Sequence, residues 1–262
     1  MRPRRSPALL LSALLPLLLA ACAPRTPLRP EAARWANAGQ LVLVTSADWD
    51  SPRGQLQRFE RVEGQWRPVA APVPVMLGRS GSAWGLGLHT VPADGPHKRE
   101  GDGRAPAGVF ALGPAFGYAP QAATGLPYRA MGADDWCIDV PDSPLYNRIV
   151  DRRTAPPAAV AGATEPMRRD LHADGDLRYR EGFVILHNPQ AVAGAGSCIF
   201  AHLWRAPDET TAGCTAMAPE SMQALLAWLD ARRHPVFVLL PQAQYRTLWA
   251  AWGLPAPAGA VP

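Results

Sequence analysis

A mainly β domain carrying one or two late helices is what this chain predicts, on three observations. Compact apolar and β-branched runs are spaced along most of its length, glycine and proline crowd the stretches between them, and helical periodicity appears only near the C-terminal end. Leu41 to Thr45 is the first strand, followed by a polar stretch holding Asp48, Asp50, Ser51, Pro52 and Gly54. Arg58 to Val62 and Trp66 to Val69, joined through Glu63-Gly64-Gln65, read as a hairpin. Val73 to Leu77 is a further strand, ending at Gly78. From Gly78 to Gly108 the glycine and proline density predicts loops and short strands. Val109 to Leu112, Phe183 to Leu186 and Cys198 to Leu203 are apolar enough to be strands, the last two buried. After Pro219 and Glu220, the residues Met222, Leu225, Leu226 and Leu229 fall at i, i+3, i+4 and i+7, one apolar stripe of a helix. Proline and a carboxylate suit its first turn, where an N–H is spare and the helix end is positive. Val236 to Leu240 reads as a buried strand and Gln242 to Trp252 as a last short helix; no internal repeat is visible.

The N-terminus reads as an address. Arg2, Arg4 and Arg5 precede a leucine-rich run from Ala8 to Ala20, which ends in Leu19-Ala20-Ala21-Cys22. A basic start, a short apolar region and small residues at a cleavage site describe a secretory signal peptide over residues 1–21. The cysteine after them resembles a bacterial lipobox, so Cys22 is expected to be lipidated and to hold the protein to a membrane. Residues 22–38, with three prolines and little periodicity, read as a tether, and residues 39–262 as one domain. A lean toward the outer membrane, facing the periplasm, follows from the absence of an obvious inner-membrane retention signal at Ala23. Net charge is only +4 and the arginines are scattered, so nucleic-acid binding finds no support. With Cys22 assigned to lipid, Cys137, Cys198 and Cys214 remain in an oxidising compartment, an odd count that predicts one reactive thiol beside one disulfide. Cys137 with Cys198 is the preferred pair, leaving Cys214 free; the other pairings stay open.

Two segments carry the chemistry. Gly196-Ser197-Cys198-Ile199-Phe200-Ala201-His202 ends in a histidine, and Thr211-Ala212-Gly213-Cys214-Thr215-Ala216-Met217 follows after a short loop. A thiol acts as thiolate, and a histidine can take its proton. Gly213 would let backbone approach closely, and neighbouring N–H groups could stabilise an oxyanion. By spacing alone, this is a weak signal. The pattern nevertheless resembles the L,D-transpeptidase (YkuD-type) family, which carries a strand-end histidine and then a Ser-x-Gly-Cys motif. Ile199-Phe200-Ala201-His202 matches the first, and Thr211-Ala212-Gly213-Cys214 the second, with threonine for serine. Upstream, Lys98-Arg99-Glu100-Gly101-Asp102-Gly103-Arg104-Ala105-Pro106-Ala107-Gly108-Val109-Phe110 is similar to the family's Lys-x-Gly-x-x-Pro-x-Gly-x-Phe stretch.

The resemblance spans roughly residues 40 to 240 and implies a β-sandwich-like catalytic domain acting on peptidoglycan stem peptides without metal or organic cofactor. It implies Cys214 as the nucleophile that forms a thioester, His202 as its base, and Gly213 and Thr211 as support for the motif. Transfer to an amine, hydrolysis by water and release of a wall-linked group all remain open. One departure is plain: the family's arginine two positions after the cysteine is Ala216 here. Arg205 is a candidate to supply a guanidinium for a substrate carboxylate in its place, with a solvated surface role as the rival. His187 and Lys98 are further candidates for substrate binding, each against a plainer role, as a hydrogen-bonded core histidine and an exposed loop charge. Trp136 and Trp204 read as packing, and His89 and His97 receive no role. Two other classes compete. One is a zinc peptidase drawing on His172, Asp174, His187 and His202, though the chain has no His-Glu-x-x-His helix. The other is a non-catalytic wall-binding lipoprotein, for which Ala216 is the best argument.

Overall fold

A computed structural model describes residues 30–259. The signal peptide, Cys22 and its lipidation lie outside the described residues. Strands β1 (Gln40–Ser46), β2 (Arg53–Val62), β3 (Gln65–Pro68), β4 (Val73–Met76), β5 (Ser82–Trp84) and β6 (Ala105–Gly117) come first. Three short strands follow, β7 (Tyr128–Ala130), β8 (Asp135–Cys137) and β9 (Ile149–Asp151), and then β10 (Glu165–Pro166). The chain ends through β11 (Glu181–Ile185), β12 (Phe200–Leu203), β13 (Thr215–Met217) and β14 (Val236–Pro241). Helices are few: α1 (Pro30–Ala33), α2 (Pro157–Val160), α3 (Arg169–His172), α4 (Pro219–Trp228) and α5 (Gln242–Leu248).

The expectation of a mainly β fold with late helices stands, and its strands are arranged as a closed barrel. In the order β1-β14-β6-β11-β12-β13-β4-β2, each strand hydrogen-bonds to the next, and β2 pairs back with β1, so eight strands close into a barrel of mixed direction. Closure leaves no free edge on that path. The cause is visible in β1 and β14, which run parallel and are buried along nearly their whole length. Their near-continuous apolar sequence is that of strands covered on both faces. α5 packs on β14 and β1, while α4 packs on β11 and β12. Met222, Leu225, Leu226 and Leu229 all lie in the core under α4. Each fully buried side chain of this kind contributes about 1.5–3 kcal/mol.

Other departures have simple physical reasons. β6 runs far beyond the expected Val109 to Leu112, through Pro106, Gly108, Gly113 and Pro114, because it is bonded on both sides by β14 and β11 and also meets β5 and β7. The end of the expected tether packs on the barrel instead of standing off it. Trp35 is buried and donates its indole N–H to the Trp252 carbonyl at 2.9 Å, and the Glu31 carboxylate accepts the Thr90 N–H at 3.0 Å.

Between β7 and β11 the chain leaves the barrel to build a small sheet, ordered β10-β8-β9. This insertion is fastened at the mouth of the barrel. Cys137 of β8 is bonded to Cys198, just ahead of β12. Asn147 accepts the Cys198 N–H and donates to the carbonyls of His187 and Asn188, each at 2.9 Å. A second, smaller core results, formed by Phe116, Met131, Cys137, Met167, Tyr179, Cys198, Phe200 and Cys214. The free thiol therefore sits where barrel and insertion meet.

Candidate active site

Strands β12 and β13 run side by side in parallel, Ala201 opposite Thr215 and His202 opposite Ala216. Alternate residues face the same way along a strand. Phe200 and His202 thus share one face of β12, and Cys214 and Ala216 the matching face at β13. The Phe200 N–H donates to Cys214 Sγ at 3.3 Å, and Sγ lies 3.5 Å from the Cys198 carbonyl, its acceptor. The Tyr179 ring meets Phe200 and His202 edge-on, at 5.4 and 5.1 Å between centroids.

The loop before the nucleophile is braced by its own residues. The Thr211 hydroxyl donates to the Cys214 carbonyl at 2.7 Å and accepts the Gly213 N–H at 3.1 Å. That N–H is thereby engaged and is not the open oxyanion donor the motif suggested. Glycine is required at 213: φ is +156°, and an added Cβ would stand 2.9 Å from the Arg104 carbonyl oxygen. Arg104 closes the Lys98–Arg104 stretch, whose hub is Asp102. The Asp102 carboxylate accepts from Lys98 Nζ at 2.5 Å and from the N–H groups of Arg99 and Arg104, each at 2.8 Å. The motif upstream of β6 is thus a self-bonded turn that forms one wall against the nucleophile loop.

A cavity of about 370 Å³ opens here, with Cys214 and His202 both in its lining. Burial pushes the Cys214 thiol up to about 12, against a smaller opposing effect of the Phe200 N–H. Burial likewise lowers His202 to about 4, with Arg178 and Arg169 adding to that effect and the bond to Leu203 opposing it. Both partners are neutral at pH 7. Since a carbonyl only accepts, the 2.7 Å contact between His202 Nδ1 and the Leu203 oxygen assigns the proton to Nδ1 and leaves Nε2 as a base.

Of the other expected residues, Lys98 lines the cavity, but its ammonium is held by Asp102 and the Arg99 carbonyl. His187 is not part of the lining. It is a core histidine whose Nδ1 accepts the Leu86 N–H at 3.2 Å and whose Nε2 donates to the Ala195 carbonyl at 2.9 Å. Arg205 is corrected as well: exposed and ion-paired with Glu209, it faces a different groove. The guanidinium groups that line the Cys214 cavity are those of Arg79, Arg169 and Arg178. Arg169 binds Glu165 at 3.1 Å and Asp176 at 2.9 Å, and Arg178 grips the same Asp176 at 2.6 Å. Sequence reasoning missed them because they come from the insertion and from the turn after β4, with no motif to mark them. Among the described residues, no three His, Cys, Asp or Glu side chains converge in a metal-binding arrangement. Comparison of the chain with family models, curated proteins and solved structures finds no match.

Proposed function

We propose that this protein is a cysteine-dependent L,D-transpeptidase that acts on peptidoglycan stem peptides, with its barrel as the family's catalytic domain and Cys22 as a lipid anchor facing the periplasm. The observation that carries the reading is that Cys214 and His202 line one cavity while the other two described cysteines are tied in a disulfide. In the reaction, Cys214 Sγ attacks the carbonyl preceding a terminal D-alanine as its proton passes to His202 Nε2. The tetrahedral intermediate collapses, His202 returns the proton to the departing amine, and a thioester remains. An amine of a second stem peptide then takes the acyl group, or water does in the hydrolytic variant. Arg79, the lining guanidinium with no ion-pair partner among the described residues, is the candidate anchor for a substrate carboxylate in place of Arg205. Incubating the full chain with purified tetrapeptide muropeptides tests the proposal. New dimers, tripeptides or exchanged termini should appear by chromatography with wild type and vanish with Cys214→Ala; unchanged muropeptides with both would overturn it.

A second reading, a non-catalytic wall-binding lipoprotein, is favoured by one observation: Cys214 is only 8% exposed. Under that reading Cys214→Ala binds peptidoglycan as wild type does and no product forms in either case.

A further inference from the structure

Charge around the Cys214 cavity is unevenly paired. Lys98 is matched by Asp102, Arg169 by Glu165 and Asp176, and Arg178 by Asp176. Glu100 also lines the cavity, yet among the described residues it has no cation within ion-pair distance. Its carboxylate is nonetheless fixed. Oε2 accepts the Ser197 hydroxyl at 2.7 Å and the Tyr146 hydroxyl, while Oε1, among the described residues, accepts only the Gly101 N–H at 3.3 Å. Tyr146 is buried and its pKa is raised, first by burial and then by Glu100 itself, so it stays a donor. The Glu100 N–H is bound to the Gly194 carbonyl at 2.8 Å, which ties the turn to the segment leading into Ser197. Ser197 in turn precedes Cys198, whose carbonyl faces the Cys214 thiol. Asp139 adds a second lining carboxylate, held by the Thr164 N–H at 2.9 Å and likewise without an ion-pair partner among the described residues. Arg79 is a lining cation likewise without an ion-pair partner among the described residues; it is exposed, and its guanidinium donates to the Gly101 carbonyl at 3.4 Å. With the lining cations other than Arg79 matched by carboxylates, Glu100 and Asp139 are left without a cation of their own.

A preoriented carboxylate whose Oε1 takes one long N–H contact, lining the same cavity as a thiol, suits a protonated amine. We propose that Glu100 binds the amine that takes the acyl group, and so biases the thioester toward aminolysis over hydrolysis; this rests on Cys214 as the nucleophile. The amine arrives as an ammonium ion paired with Glu100 and gives one proton to solvent before attack. Its nitrogen then forms the new amide bond as the C–S bond breaks. The remaining excess proton passes through His202 to the departing Cys214 sulfur. Water carries no charge for Glu100 to select, so the carboxylate raises the local concentration of the amine alone.

The test compares two probes, a tetrapeptide muropeptide with its free side-chain amine and the same molecule N-acetylated. Calorimetry measures their binding to the full chain carrying Cys214→Ala, with Glu100 or with Glu100→Gln. The amide oxygen of Gln still accepts from Tyr146 and Ser197, so the variant removes charge while keeping the hydrogen-bond hub. N-acetylation is expected to weaken binding about tenfold with Glu100 and not at all with Gln, as loss of one charge-assisted contact. In the active enzyme, Glu100→Gln should shift the ratio of transfer to hydrolysis products about tenfold toward hydrolysis. Equal effects of acetylation in both backgrounds, or an unchanged product ratio, would overturn the proposal. If wild type forms no thioester, the nucleophile reading falls, and the binding comparison still decides the role of Glu100.

Discussion

Cys214 and His202 line one cavity as a neutral thiol and a neutral imidazole, because burial acts on both in the direction that removes charge. A resting thiolate–imidazolium pair is therefore not available, and the proton must move as substrate arrives. Iodoacetamide should label Cys214 in the folded, substrate-free protein far more slowly than it labels free cysteine at pH 7, as peptide mapping would show; labelling as fast as free cysteine would contradict the buried thiol. The base must be neutral, so kcat/KM should hold level from neutral pH down to about 5 and fall as His202 protonates near 4. The pair itself was legible in the sequence, since Gly213, Cys214 and His202 lie in two short segments. Arg169 and Arg178 were not: nothing in Arg168-Arg169-Asp170 or Leu177-Arg178-Tyr179 distinguishes a cavity arginine from a solvated one.

Elements whose side chains repeat a simple pattern were read correctly, and those defined by their partners were not. The stripe from Met222 to Leu229 gave α4, and the apolar runs gave β1, β4, β11 and β14. β6 was cut short because proline and glycine punctuate it, though neighbours on both sides hold those residues in the sheet. β8, β9 and β10 are two or three residues long and have no periodicity to read. They form because the Cys137–Cys198 bond and Asn147 hold the insertion against the barrel. Replacing both Cys137 and Cys198 by serine should cost about 2–5 kcal/mol in urea unfolding. Turnover should fall with it, because Tyr179 and Arg178, brought by the insertion, line the nucleophile's cavity. Unaltered stability in urea would show that the insertion is held by other contacts.

Across the whole molecule, barrel closure was invisible in the sequence, as it depends on β1 pairing with both β2 and the distant β14. The double-sided burial of those strands was the only local trace. The same close packing buries three histidines. His89, His187 and His202 are each lowered by burial to about 4. An unfolded histidine titrates near 6.5, so between about 6.5 and 4 the unfolded chain binds more protons and stability falls as pH drops. Urea midpoints should be flat above about pH 7 and decline through that window, by at most about 3 kcal/mol for each histidine; no decline would contradict their burial as neutral groups. Intact-mass spectrometry of the full chain after brief exposure to tetrapeptide muropeptides would detect a thioester on Cys214. The expected product is an acyl adduct that hydroxylamine removes, that maps to Cys214 and that is absent from Cys214→Ala. An adduct on another residue, or none under conditions where the muropeptides are consumed, would contradict Cys214 as the nucleophile.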